Sequence, residues 1–241
     1  MVLLMVGPHS GFGIPSAEHI FPQLNRNITI NRVIFRLGNE FHQFSNMSDQ
    51  FTTDILSLTF KNESFQEIKV QNTTHDILVW LGNRQTPLNE TILVGQYIQT
   101  DSATRYLFGV TALKPLHAIQ IVLATSSPIF ENTTVNMSTE LPGNLTDVND
   151  FLFSSIVCFN GRVATIFLPE EEITKAGSYY VTFDLVYSQE AEFRVSTTQH
   201  SCSYSVDKAY TWQNGGCKVS PKSDVNSTLC MCNYLTTFTA P

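Results

Sequence analysis

Charge is scarce in this 241-residue chain: Asp, Glu, Lys and Arg together make up 15% of it, and only 14 residues are Lys or Arg. No basic run occurs, and the net charge is −7 at pH 7 with a sequence pI near 5.3. That balance excludes the electrostatic footprint of a nucleic-acid binder and of a protein attracted to an anionic membrane surface. Long hydrophobic runs are also missing, since no stretch approaches the roughly 18 consecutive apolar residues that span a bilayer. Any membrane attachment is therefore expected through segments outside this chain. The opening MVLLMVGPHSG lacks a charged first region and breaks early at Gly7-Pro8, unlike a signal peptide, so the chain is expected to be a piece of a longer one.

Chemical signatures are equally sparse. The six histidines, His9, His19, His42, His75, His117 and His200, show no HExxH motif and no i,i+4 pairing, which argues against zinc. No GxSxG elbow is present, and the segment from Gly7 to Gly13 lacks both a complete GxGxxG fingerprint and a following βαβ pattern. Glu170, Glu171 and Glu172 diverge if they sit on a helix, while Asp147 and Asp150 read as solvated loop acids. Neither a metal, a cofactor nor turnover of a diffusible substrate is expected. Internal repeats of 20 to 50 residues are absent, which excludes a solenoid.

What the chain does have is β-forming sequence and glycosylation acceptors. With 42% hydrophobic residues it can bury a substantial core. Short runs such as Arg32–Leu37, Asp54–Phe60, Asp76–Leu81, Ala118–Ala124 and Tyr179–Tyr187 are punctuated by Asn, Gly, Ser, Asp and Pro. This pattern predicts an all-β fold, a twisted antiparallel β-sandwich with one or two short helices, formed as a single domain over residues 1–241. Asn160-Gly161 predicts a type I′ hairpin turn with Cys158 in its first arm. Pro169 to Gly177 predicts a short helix, and Asn136 to Asp150 an exposed loop. N-x-S/T triplets at Asn27, Asn46, Asn62, Asn72, Asn89, Asn132, Asn136, Asn144 and Asn226 point to the secretory route.

Four of the five cysteines, Cys202, Cys217, Cys230 and Cys232, crowd the C-terminal segment, as expected in an oxidising compartment. Cys230 and Cys232 share one strand face, and a bond across a single residue would be strained, so each must reach another segment. Both pairings with Cys202 and Cys217 remain open on geometry, leaving Cys158 as the expected free, buried thiol.

Together, Cys202, Trp212, Gly216-Cys217 and the run Cys230-x-Cys232-Asn233-x-Leu235-Thr236 with Phe238 resemble the GPS motif that ends GAIN domains, here over residues 202–241. Such domains occur in adhesion G-protein-coupled receptors and in the polycystin-1 family, and Ile55–Leu81 leans towards the latter. The resemblance implies a GAIN subdomain B-like sandwich with bridges Cys202–Cys230 and Cys217–Cys232. It also implies an extracellular position in a polycystin-1-like membrane protein, at a plasma or ciliary membrane, partnered through the full-length protein with a polycystin-2-type cation channel, a calcium channel complex. An extracellular ligand would be unidentified.

In cleaving members the residue matching Thr236 attacks the carbonyl of the one matching Leu235, and a histidine two residues before the nucleophile takes the proton. Tyr234 stands there in this chain. A phenol titrating near 10 is a poor proton acceptor at neutral pH, so autoproteolysis is expected to be lost or slow. The alternatives are an adhesion-receptor domain carrying a tethered agonist from Thr236, and a plain ligand-binding sandwich.

Overall fold

The computed structural model describes residues 1–21, 32–37, 53, 55–62, 64–83, 89–93, 97–99, 103–140, 151–186, 192–205, 212–214 and 216–239. In chain order the first strands are β1 (Val2–Met5), β2 (Gly11–Ile14), β3 (Arg32–Leu37), β4 (Leu56–Lys61), β5 (Glu67–Ile68) and β6 (Ile77–Gly82). Next come β7 (Asn89–Leu93), β8 (Tyr97–Gln99), β9 (Thr104–Ala112), β10 (Ala118–Ser138), β11 (Phe153–Leu168), β12 (Gly177–Leu185) and β13 (Phe193–His200). The described chain closes with β14 (Ser203–Ser205), β15 (Trp212–Asn214), β16 (Cys217–Val219), β17 (Ser227–Cys232) and β18 (Thr237–Thr239). One helical turn, α1 (Ala17–Ile20), and one 3-10 turn, Glu170–Glu172, are the described helices. None is long and apolar enough to cross a membrane. The chain is all-β, and its pairings are antiparallel wherever a register is described, for example β2 with β6 and β16 with β17.

Two compact units divide the chain. The first comprises residues 1–86 and 200–241 and holds two sheets, ordered β1-β2-β6-β17-β16 and β15-β14-β18-β4-β3, with β5 added to β4. Alternation in sequence sets the buried faces: Leu56, Leu58 and Phe60 of β4 and Ile77, Val79 and Leu81 of β6 point inward. Phe12 of one sheet meets Phe238 of the other edge to face, ring centres 6.4 Å apart. The bridge Cys202–Cys230 ties the approach to β14 to β17, and Cys217–Cys232 joins directly opposed residues of β16 and β17. Its Cα separation of 4.3 Å suits a non-hydrogen-bonded cross-strand pair. Of the two pairings left open by strand geometry, this is the one present.

The second unit, residues 87–199, is one sheet ordered β7-β13-β10-β12-β9-β8, with β11 paired to β10. Its core is an aromatic cluster in which Tyr106, Phe159 and Phe183 surround Phe193 at 4.9–6.0 Å between ring centres. Such pairs add about 0.5–1.5 kcal/mol each beyond the area they bury. On the outer side Arg105 grips Asp184, directly opposite it, through two hydrogen bonds of 2.6 and 2.7 Å.

Four sequence expectations are corrected here. Asn160-Gly161 makes no hairpin turn: β11 runs through it, with Asn160 opposite Phe130 and Gly161 opposite Ile129. A type I′ turn needs positive φ at both central residues, and only Gly161 has it, at +114°. The ladder with β10, six matched pairs before a bulge and nine after, outweighs the local turn preference. At that bulge the β10 residues between Ala124 and Ile129, including Pro128, face only Arg162. Cys158 is free as expected but exposed, because Val157 and Phe159 take the inward positions of β11 and alternation turns it outward. Asn136 to Ser138 complete β10 with Met137 fully buried, so this part of the expected loop is strand; residues 141–150 lie outside the described ones. The predicted helix after Pro169 shrinks to its single 3-10 turn, and Gly177 opens β12 with φ +143° instead of ending a helix.

Candidate functional site: the Leu235–Thr236 peptide bond

Between β17 and β18 the chain makes a short loop, residues 233–236, held by backbone from a distant segment. Leu235 donates its N–H to the Val70 carbonyl (3.1 Å), and Thr73 donates to the Asn233 carbonyl (3.0 Å). Immediately after the loop, Thr237 and Phe238 enter the second sheet between β14 and β4, with Thr237 opposite Ser205 on one side and Ser57 on the other. The loop is therefore anchored at both ends.

Tyr234, Leu235 and Thr236 line one pocket of about 440 Å³ together with Glu67, Lys69, Val70, Gln71, Asn72, Tyr204, Ser205 and Gln213. No histidine is among these lining residues. The Thr236 hydroxyl donates its hydrogen to the backbone carbonyl of Ser205. An amide oxygen accepts a hydrogen bond but is far too weak a base to remove a proton, so the nucleophile candidate is committed without being activated.

Tyr234 is half-buried. Its ring lies 4.7 Å from that of Tyr204 and stacks on Phe238 at 6.0 Å, while its hydroxyl sits 3.4 Å from Sγ of the bridged Cys217, a contact in which only the phenol can donate. Burial pushes the phenol well above the usual tyrosine range, and the adjacent Tyr204 hydroxyl adds to the shift. The side chain two residues before Thr236 is thus a protonated donor. Gly216, with φ +73°, makes room for it. Tyr204 in turn donates to Gln213 Oε1 at 3.1 Å.

Sequence reasoning named Tyr234, Leu235 and Thr236, which the structure brings to one pocket, and the four cysteines, which it bonds in two pairs. It missed Ser205, Val70 and Thr73, whose contributions come through backbone atoms and leave no mark in residue type. A partly buried network at the opposite end of β17 from that loop was missed as well. Asn83 Nδ2 donates to the carbonyls of Asp224 and Val225, which leaves its Oδ1 to accept from the Thr228 hydroxyl at 3.0 Å. With that hydrogen used, Thr228 Oγ1 must accept from His200 Nδ1 at 2.9 Å, so His200 is the Nδ1-protonated neutral tautomer. Its Nε2 is buried with no hydrogen-bond partner among the described residues. Burial lowers the His200 pKa to about 4, against an opposing pull from Asp224.

Among the sequon residues, Asn72, Asn132 and Asn226 are exposed, Asn62 and Asn136 are partly exposed, and Asn89 opens β7. Asn27, Asn46 and Asn144 lie outside the described residues.

Comparison with known proteins agrees with this geometry. The family model described as GAIN subdomain B (GPS) matches residues 111–240. Polycystin-1-like protein 3 of Mus musculus is 24% identical over 235 residues, covering 95% of this chain, and the same-named protein of Homo sapiens is 36% identical over 76 residues, 29% of this chain. The chain spans only 11% of the mouse protein's length and 4% of the human one's. Among solved structures, the collagen binding domain of Erysipelothrix rhusiopathiae surface protein RspB covers 88% of this chain and 96% of its own, but 9% identity and a TM-score of 0.24 carry no argument. The match over more than half of the chain, ending on the stapled loop and strand just described, means that the chain belongs to the GPS family, the B subdomain of GAIN domains.

Proposed function

We propose that this chain is the extracellular, membrane-adjacent GAIN-type domain of a polycystin-1-like membrane protein, and that it works as an uncleaved, force-bearing link. The observation that carries the reading is the state of Thr236: its hydroxyl hydrogen goes to a backbone carbonyl, and the side chain two residues upstream is a protonated tyrosine. Peptide-bond attack by Thr236 requires that hydrogen to leave, and loss of general-base help typically costs about 10²–10⁴ in rate. Support for load bearing comes from β18, which is hydrogen-bonded to β14 and β4, and from the bridge between Cys202 and Cys230 behind it. Tension applied at the C-terminal end would then meet two strand ladders and a covalent staple. We further propose that the full-length protein partners a polycystin-2-type cation channel at a plasma or ciliary membrane, a reading that rests on the family resemblance alone. Purified domain run on a denaturing gel tests the core of the reading: a single band of full length is expected, and a fragment whose N-terminus is Thr236 overturns it.

A further inference from the structure

The pocket at Leu235–Thr236 has a feature that cleavage chemistry does not use. Asn72, one of its lining residues, begins the sequon Asn72-Thr73-Thr74. Its backbone is left-handed, φ +53°, and the residue is exposed. Its side-chain amide makes no hydrogen bond with any described residue, whereas that of Asn62 is tied to Gln66. The next residue, Thr73, donates its N–H to the Asn233 carbonyl, so the acceptor asparagine stands beside the loop that carries the scissile bond.

The walls suit a sugar. Tyr204 and Tyr234 put two aromatic rings, inclined at 60° to each other, in its lining, and Gln213, Glu67, Lys69 and Gln71 line it beside them with amide, carboxylate and ammonium side chains. Aromatic faces flanked by a few polar groups able to fix orientation are the usual make-up of a small-molecule site, and about 440 Å³ lies within the roughly 300–1,000 Å³ such sites occupy. A glycan joined at the rim needs little intrinsic affinity, because its tether holds it at an effective concentration in the millimolar range.

We propose that the first sugars of an N-glycan on Asn72 occupy this pocket and cover the Leu235–Thr236 peptide bond. The proposal rests on the extracellular reading above, since attachment requires the secretory route. The glycan would then join the loop clamp formed by Val70 and Thr73 and keep water from the bond, which deepens the account of why this link stays whole.

The test uses the whole chain secreted from glycosylating cells, with glycans trimmed to a single N-acetylglucosamine. Occupancy at each sequon is read by mass spectrometry, and hydrogen exchange is read on the peptide containing Leu235 and Thr236. A tethered sugar binding with a millimolar dissociation constant or tighter slows exchange from the open loop at least about twofold. That slowing is expected in wild type and in Thr74→Ser, which keeps the sequon, and is expected to be lost in Asn72→Gln. Enzymatic removal of the sugar from folded wild-type chain gives the same comparison if Asn72→Gln is not secreted. Equal exchange with and without the Asn72 sugar overturns the proposal. So does a chain glycosylated at Asn132 or Asn226 but bare at Asn72, which leaves the extracellular reading standing. A chain bearing no glycan at any sequon overturns both.

Discussion

Tyr234 lies over Gly216 so closely that a Cβ built on the glycine would meet Cε1 of the ring at 2.6 Å. The glycine also holds φ +73°, a left-handed conformation that costs other residues about 1–2 kcal/mol. Gly216→Ala should therefore destabilise the first unit by about 2–4 kcal/mol, strain and overlap together. Adding Tyr234→Ala should recover the overlap part and leave the φ strain, a coupling that urea titration of both single variants and the double variant would measure. Additive effects would show that the two residues do not press on each other.

The bridges should differ in what they hold. Cys202–Cys230 closes a separation of 28 residues and joins two sheets, whereas Cys217–Cys232 closes 15 residues within one hairpin. Chain entropy alone puts the first at about 3.6 kcal/mol and the second at about 3 kcal/mol. Replacing Cys202 and Cys230 together by Ala should cost more than replacing Cys217 and Cys232, since the sheets also lose their tie. Denaturant midpoints compared under two-state conditions check the order, and the reverse order would mean that the staple between sheets is dispensable.

Much of the fold could be read from alternation. Arg32–Leu37 is β3 exactly as its run of strand-forming residues suggested, and Asp76–Leu81 overlaps β6 within a residue. The misreadings at Asn160-Gly161 and Cys158 share a cause: both belong to a strand whose course is set by fifteen pairings with β10, and a dipeptide's turn preference says nothing about a distant ladder. At the site, residue types revealed Tyr234, Leu235, Thr236 and the cysteines. Ser205 and Val70 act through carbonyl oxygens that every residue carries, and the His200-Thr228-Asn83 network joins residues 28 and 145 positions apart. Neither leaves a local pattern to find.

His200 should make the first unit sensitive to acid. Its folded pKa of about 4 lies below the ordinary 6.5, so the unfolded chain binds a proton that the folded one refuses. Stability is then unaffected by this group above pH 6.5 and falls as the pH drops from 6.5 towards 4, by about 3 kcal/mol at the lower end. The charged ring would have its Nε2–H buried without a partner, which is the physical source of the loss. His200→Gln should flatten that part of the pH–stability curve whatever it does to stability at pH 7. An unchanged slope between pH 4 and 6.5 would assign the acid response to other groups.

The remaining prediction concerns the bond itself. Tyr234→His places a group that ordinarily titrates near 6.5 two residues before Thr236, where the family resemblance implies a base, and so supplies the proton transfer that a buried phenol cannot. The variant should yield a fragment beginning at Thr236, at a rate about 10²–10⁴ above that of wild type. Tyr234→Phe separates the two effects of the substitution: it keeps the ring but removes the hydroxyl's hydrogen bonds with Tyr204 and Cys217 without adding a base, and should stay intact. Adding Thr236→Ala to Tyr234→His should abolish the fragment, because no hydroxyl remains to attack the Leu235 carbonyl. The bond between the Thr236 hydroxyl and the Ser205 carbonyl must also yield for attack to begin, and it competes with the new imidazole for the same hydrogen. A folded Tyr234→His domain that remains whole would therefore place the block in that hydrogen bond and the loop clamp, not in the identity of residue 234.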